Sequence, residues 1–78
     1  MEDYLERLKR GSLKLYALEE ELPADEAARV RRAYIERETG IALSAVGAYT
    51  IPVDRVAKKN CENLIGAIQI PVGIAGPI

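Results

Sequence analysis

The chain has 78 residues, 49% of them hydrophobic and 29% charged, with a net charge of -1, one cysteine and no histidine. That length allows at most one small domain. A lone cysteine without histidine excludes a disulfide framework or a zinc site as a staple, and the near-neutral charge gives no electrostatic case for nucleic acid or an anionic membrane as partner.

Of the 23 charged residues, 18 fall within positions 1–40 and five after them. The first half therefore reads as solvated helices and the second as material for an interior. Glu2 to Arg10 is predicted to be a short helix. Tyr4, Leu5 and Leu8 share one face, and acids at the start with Lys9 and Arg10 at the end complement the helix dipole. Gly11 ends it, because glycine tolerates the left-handed conformation. Ser12 is expected to cap a second helix or turn, Leu13 to Leu22, with Leu15, Leu18 and Leu22 as its apolar stripe. Glu19, Glu20 and Glu21 form its wet face, and Pro23 closes it.

A third helix follows, with Asp25 as N-cap and Ala27, Val30 and Tyr34 as the buried stripe. Asp25–Arg29 and Arg32–Glu36 are i, i+4 pairs of opposite sign. Arg29, Arg31, Arg32 and Arg37 suggest either an anion site or a salt-bridged surface, and four acids on the same helix favour the surface. Thr39-Gly40 is the stop.

Positions 41–51 carry no charge. Leu43, Val46 and Ile51 are expected to pack, with Gly47 allowing a turn. Pro52 suits the first turn of a short helix running to about Lys59, with Val53 and Val56 inward and Arg55, Lys58 and Lys59 outward. These three bases are the ordinary cationic end of a helix, or a patch that steers an acidic substrate.

In the last third, Ile68, Ile70, Val72 and Ile74 recur at every second position, the period of a strand. The opposite face carries Ala67, Gln69, Pro71, Gly73 and Ala75, small enough for another backbone or a ligand to come close. A strand so apolar needs burial. The fold class expected is α+β: a helical N-terminal region, 1–60, leads into the first strand of a larger substrate-binding domain, whose incomplete beginning is 61–78. Gly66, Gly73 and Gly76 match neither the phosphate loop nor the dinucleotide turn, so they are assigned to tight turns and close packing. Glu62-Asn63 is the polar pair set against the apolar strand. No histidine, second nearby carboxylate or nucleophile with a base accompanies it, so no residue of the chain is assigned a catalytic or metal-binding role. An acidic N-terminus and a tail too short and too rich in glycine and proline to span a bilayer give a soluble, cytoplasmic reading without a membrane partner.

Glu62-Asn63-Leu64-Ile65-Gly66, followed by Ile70-Pro71-Val72-Gly73-Ile74-Ala75-Gly76-Pro77-Ile78, strongly resembles the first signature block of the 3-hydroxy-3-methylglutaryl-CoA reductases. That block usually reads Glu-Asn-Val-Ile-Gly and then Ile-Pro-Val-Gly-Val-Ala-Gly-Pro-Leu; Leu64, Ile74 and Ile78 are conservative departures. Leu15-Tyr16-Ala17-Leu18-Glu19 and Val30-Arg31-Arg32 resemble upstream segments of the same family, most closely its soluble archaeal-type members. The resemblance implies an enzyme that reduces hydroxymethylglutaryl-CoA to mevalonate and CoA in isoprenoid biosynthesis, with NADPH bound by regions outside this chain. It implies a homo-oligomer whose catalytic residues lie further along. It implies that Glu62, Asn63, Leu64, Ile65 and Gly66 frame the active site at a subunit interface. Tyr16 matches a tyrosine that covers the adenine of coenzyme A, a role suited to an aromatic face with a polar tip; the alternative is an ordinary core or surface tyrosine. A reading from another class stays open, that of a small non-enzymatic interaction module pairing through its C-terminal apolar strand.

Overall fold

The computed structural model describes residues 1–57 and 59–76. Its body is built on two α-helices, α1 (Glu2–Arg10) and α2 (Ala24–Thr39), with 3₁₀-helices at Leu15–Glu20 and Val53–Arg55. Helix α1 has the predicted bounds. Gly11 closes it at φ 80°, and its amide bonds back to the last turn. That geometry suits a residue without a Cβ.

The region after Gly11 is tighter than expected. Ser12 caps nothing; its hydroxyl donates to the Arg7 carbonyl at 3.3 Å. Only Leu15–Glu20 is helical, as 3₁₀ turns. Its apolar stripe is nevertheless as read, with Leu18 fully buried and Leu15 and Leu22 packed against the same core. Helix α2 starts from Pro23, not from an Asp25 cap. Asp25 falls inside the first turn, where its charge suits the dipole, and its carboxylate accepts the Tyr49 hydroxyl at 2.6 Å. Burial and that acceptor push the Tyr49 phenol above its ordinary range. Gly40 ends the helix at φ 74°.

Helix α2 packs on two sides. Ala27 and Val30 join Leu5, Leu8, Leu13 and Leu18 in one cluster. Ala28 joins Val53 and Leu64 in the other. Small side chains at 27 and 28 let both clusters approach the same helix. The second 3₁₀-helix is shorter than the expected run to Lys59; Val53 to Arg55 are helical and Pro52 stands before them. Lys58, which was expected to belong to a basic patch, lies outside the described residues, as do Pro77 and Ile78. Ile51, expected to pack, is exposed.

Two ion pairs pin α1 to its neighbours. Arg7 donates to both carboxylate oxygens of Glu21, at 3.1 and 2.8 Å. Arg37, near the end of α2, reaches Glu2. Glu21 is exposed, as expected of the wet face, and is engaged there by Arg7. Both carboxylates are held below the usual range, chiefly by the hydrogen bond from their arginine. A carboxylate with a depressed folded pKa stabilises the fold above its unfolded value and loses that contribution as pH falls through the folded one. Acid below the ordinary value of 4.5 is therefore expected to loosen α1 from the 3₁₀ turn and from α2. Amide exchange across α1 during an acid titration checks this. An acid response identical in the protein and in its Glu2→Gln, Glu21→Gln double variant would contradict it.

Beyond Gly66 the expected strand has no partner. Among the described residues there is no strand, and the sole β-bridge is an isolated one between Ala57 and Cys61. Ile68, Ile70, Val72 and Ile74 are 76%, 73%, 91% and 91% exposed. The alternation marks side chains that want cover, whereas a strand needs a second chain segment to complete its ladder.

Candidate functional site

The site is assembled around Arg31. At a helical spacing from Ala27, Arg31 falls on the buried side of α2, and only 1% of it is exposed. Its Nε donates to the Leu15 carbonyl at 2.9 Å. One terminal nitrogen donates at 2.9 Å to both the Leu64 carbonyl and Glu19 Oε2. The other donates to Glu19 Oε1, completing a two-pronged ion pair. Glu19, expected on a solvated face, has a side chain only 10% exposed. The planar guanidinium can serve all these acceptors because its donors lie in a fixed fork. A lysine has no such geometry.

Arg32, one residue on, points to the next carbonyl. It donates to Ile65 O at 2.7 Å and stands 5.7 Å from the Tyr49 ring centroid. Gly47 leaves room for its passage; a Cβ there would lie 2.7 Å from Arg32 Nε. The predicted Arg32–Glu36 pair is thus replaced. Glu36 instead accepts the Leu43 amide at 2.6 Å, and Arg29 pairs with Glu26 at 3.9 Å instead of with Asp25. Of the four arginines read as a salt-bridged surface, Arg29 and Arg37 fit that reading. Arg31 and Arg32 hold backbone carbonyls.

The signature segment is shaped by these anchors. Asn63 turns the chain with φ 53°, a left-handed conformation that asparagine adopts more readily than most residues. Leu64 is buried against Ala28 and Val53. Its carbonyl and that of Ile65 then meet Arg31 and Arg32. Gly66 lies flat on Val46, and the Ala67 amide donates to Val46 O at 3.1 Å. Three backbone groups of this irregular segment are thus held, two carbonyls by arginine side chains and the Ala67 amide by the 43–47 turn.

This arrangement brings Tyr16 beside Glu62 and Asn63. Tyr16 is exposed and stands with Asn63 at the junction of two hollows of about 350 Å³ each. The first is lined by Leu8, Gly11, Leu13, Lys14, Leu15, Tyr16, Tyr34 and Asn63. Two aromatic rings, aliphatic side chains and one lysine suit a flat ring carrying negative charge nearby. The second is lined by Tyr16, Glu19, Glu20, Glu62 and Asn63; Glu19 is neutralised by Arg31, which leaves Glu20 and Glu62 as its acidic lining. Glu62 and Asn63 are exposed at this rim, Leu64 is buried beneath it, and Ile65 and Gly66 are half-buried behind it. No cluster of His, Cys, Asp or Glu among the described residues has the arrangement of a metal site. What sequence reasoning missed is the burial of Arg31 and its grip on two distant backbone carbonyls. The available signal was its place four residues after Ala27, on the apolar stripe.

A two-sided helix thus carries two arginines that clamp an irregular, glycine-containing segment beside an aromatic-walled groove. The family model for hydroxymethylglutaryl-coenzyme A reductase matches residues 27–78, and the chain belongs to that family. It is similar to the 3-hydroxy-3-methylglutaryl-coenzyme A reductases of Methanothermobacter thermautotrophicus (46% identity over 95% of this chain and 19% of that protein), Aeropyrum pernix (48%, over 100% and 19%) and Pyrococcus abyssi (39%, over 100% and 20%). The chain thus spans about a fifth of the length of these relatives. No helix among the described residues is long and apolar enough to cross a membrane.

Proposed function

We propose that the chain is the N-terminal part of an NADPH-dependent reductase that converts hydroxymethylglutaryl-CoA to mevalonate and CoA. In this reading residues 1–60 form the helical N-terminal region and 61–78 begin an α+β substrate-binding domain. Its catalytic groups and its NADPH site lie in other parts of the enzyme, which works as a cytoplasmic homo-oligomer. Tyr16 covers the adenine of the thioester's CoA in the groove it shares with Lys14 and Tyr34, and Glu62 to Gly66 frame the active site where subunits meet. The observation that carries this is the meeting of two distant parts of the chain, 13–16 and Asn63, in one groove. The apolar row at 68–74 is then the face that the rest of the domain covers.

Base–aromatic stacking is worth roughly 1–3 kcal/mol per ring, so Tyr16→Ala in the full-length enzyme is expected to raise KM for hydroxymethylglutaryl-CoA by about 10- to 100-fold. Tyr16→Phe should stay near the parent, and KM for NADPH should not move. The chain by itself should not oxidise NADPH in the presence of hydroxymethylglutaryl-CoA. An unchanged thioester KM in Tyr16→Ala, or turnover by the chain alone above a no-protein control, sinks the assignment.

A further inference from the structure

We infer that Arg31 is the positioning residue of the groove, fixing the separation of its two walls; the inference rests on the substrate reading of that groove. The walls come from parts of the chain far apart in sequence. Tyr16 belongs to the 3₁₀ turn Leu15–Glu20. Asn63 belongs to the irregular signature segment. Arg31 grips each at the adjacent residue. Its Nε holds the carbonyl of Leu15, one residue before Tyr16, and a terminal nitrogen holds the carbonyl of Leu64, one residue after Asn63, both at 2.9 Å.

Glu19 takes one donor from each terminal nitrogen and fixes the plane of the fork. The guanidinium itself is buried, so it does not reach into the groove and acts through Tyr16 and Asn63. Arg32 supplies the contrast. It holds the Ile65 carbonyl and stands over the Tyr49 ring, and among the described residues it has no bond to the Leu15–Glu20 turn. One arginine therefore couples two walls, and its neighbour secures one.

The test uses the full-length enzyme with Arg31→Lys, Glu19→Gln and Arg32→Lys, read by hydrogen exchange of peptides covering 15–20 and 63–67 and by steady-state kinetics. Arg31→Lys keeps the charge and loses the fork. It is expected to speed exchange in both peptides and raise KM for hydroxymethylglutaryl-CoA about tenfold, with kcat and KM for NADPH within about twofold; tenfold corresponds to ~1.4 kcal/mol of lost binding. Arg32→Lys is expected to speed exchange in 63–67 alone. If Arg31→Lys does not yield folded enzyme, Glu19→Gln, nearly isosteric, decides by the same two readouts. Faster exchange in one peptide only, or an unchanged thioester KM in an enzyme where Tyr16→Ala does raise it, overturns the role of Arg31. An unchanged KM in Tyr16→Ala defeats the substrate reading and, with it, the role of Arg31 in binding. The exchange pattern then separately accepts or rejects the coupling of the walls.

Discussion

Arg31→Met is expected to be the most damaging single substitution in the helical body, lowering the stability of the enzyme by about 3–5 kcal/mol. Methionine is close in length and fills the apolar part of the space. It removes the cation from Glu19, whose side chain is 10% exposed, and the donor from the carbonyls of Leu15 and Leu64. A buried carboxylate that loses its cation, and buried carbonyls that lose a donor, each keep their desolvation penalty. The same reasoning ranks other changes. Arg37→Met breaks an exposed, solvent-screened pair with Glu2 and should change stability little. Arg29→Met breaks an exposed contact with Glu26 at 3.9 Å and should be near neutral. A thermal-shift series on the three full-length variants checks the order. Equal small shifts would mean that the buried ion pair is no more than a surface contact in its energetics.

The ranking could not be drawn from the sequence, and the reason is specific. Arg29, Arg31, Arg32 and Arg37 look alike as letters, and four acids on the same helix invite local pairing. What separates them is the face of α2 on which each falls and the acceptors that face meets. Arg31 meets carbonyls of Leu15 and Leu64, 16 and 33 residues away. Every residue has a carbonyl, so a backbone acceptor leaves no mark in composition or spacing. The elements that were legible are those encoded locally. Helix α1 is set by its charged ends and by Gly11, and α2 is stopped by Gly40. The signature block was legible by resemblance, whereas its shape depends on contacts with α2 and the 43–47 turn. The alternation from Ile68 to Ile74 was read as a strand. The period reports which side chains share a face, and the ladder that would make a strand of them must come from elsewhere.

Gly66→Ala is expected to be the second large effect, and it tests the signature segment independently of Arg31. Gly66 sits at φ 152°, where a Cβ would lie 2.2 Å from the carbonyl oxygen of Val46 and 3.0 Å from its carbonyl carbon. The obstacle is backbone and cannot rotate aside. Either the 43–47 turn or the 64–67 segment must move, and the bond from the Ala67 amide to Val46 O stretches with it. Holding an ordinary residue in such a conformation costs roughly 1–3 kcal/mol, and losing the hydrogen bond adds about 1 kcal/mol. Gly47→Ala is the matched control, since its Cβ would meet the Arg32 side chain at 2.7 Å. That guanidinium can shift on its flexible stem, at the expense of its bond to Ile65. Gly66→Ala should therefore lower the melting temperature more than Gly47→Ala. It should also speed amide exchange at Ala67, while the 15–20 turn, held through Arg31, stays protected. A Gly66→Ala enzyme that melts with the parent and keeps Ala67 protected would show that the contact between the signature segment and Val46 does not govern this backbone.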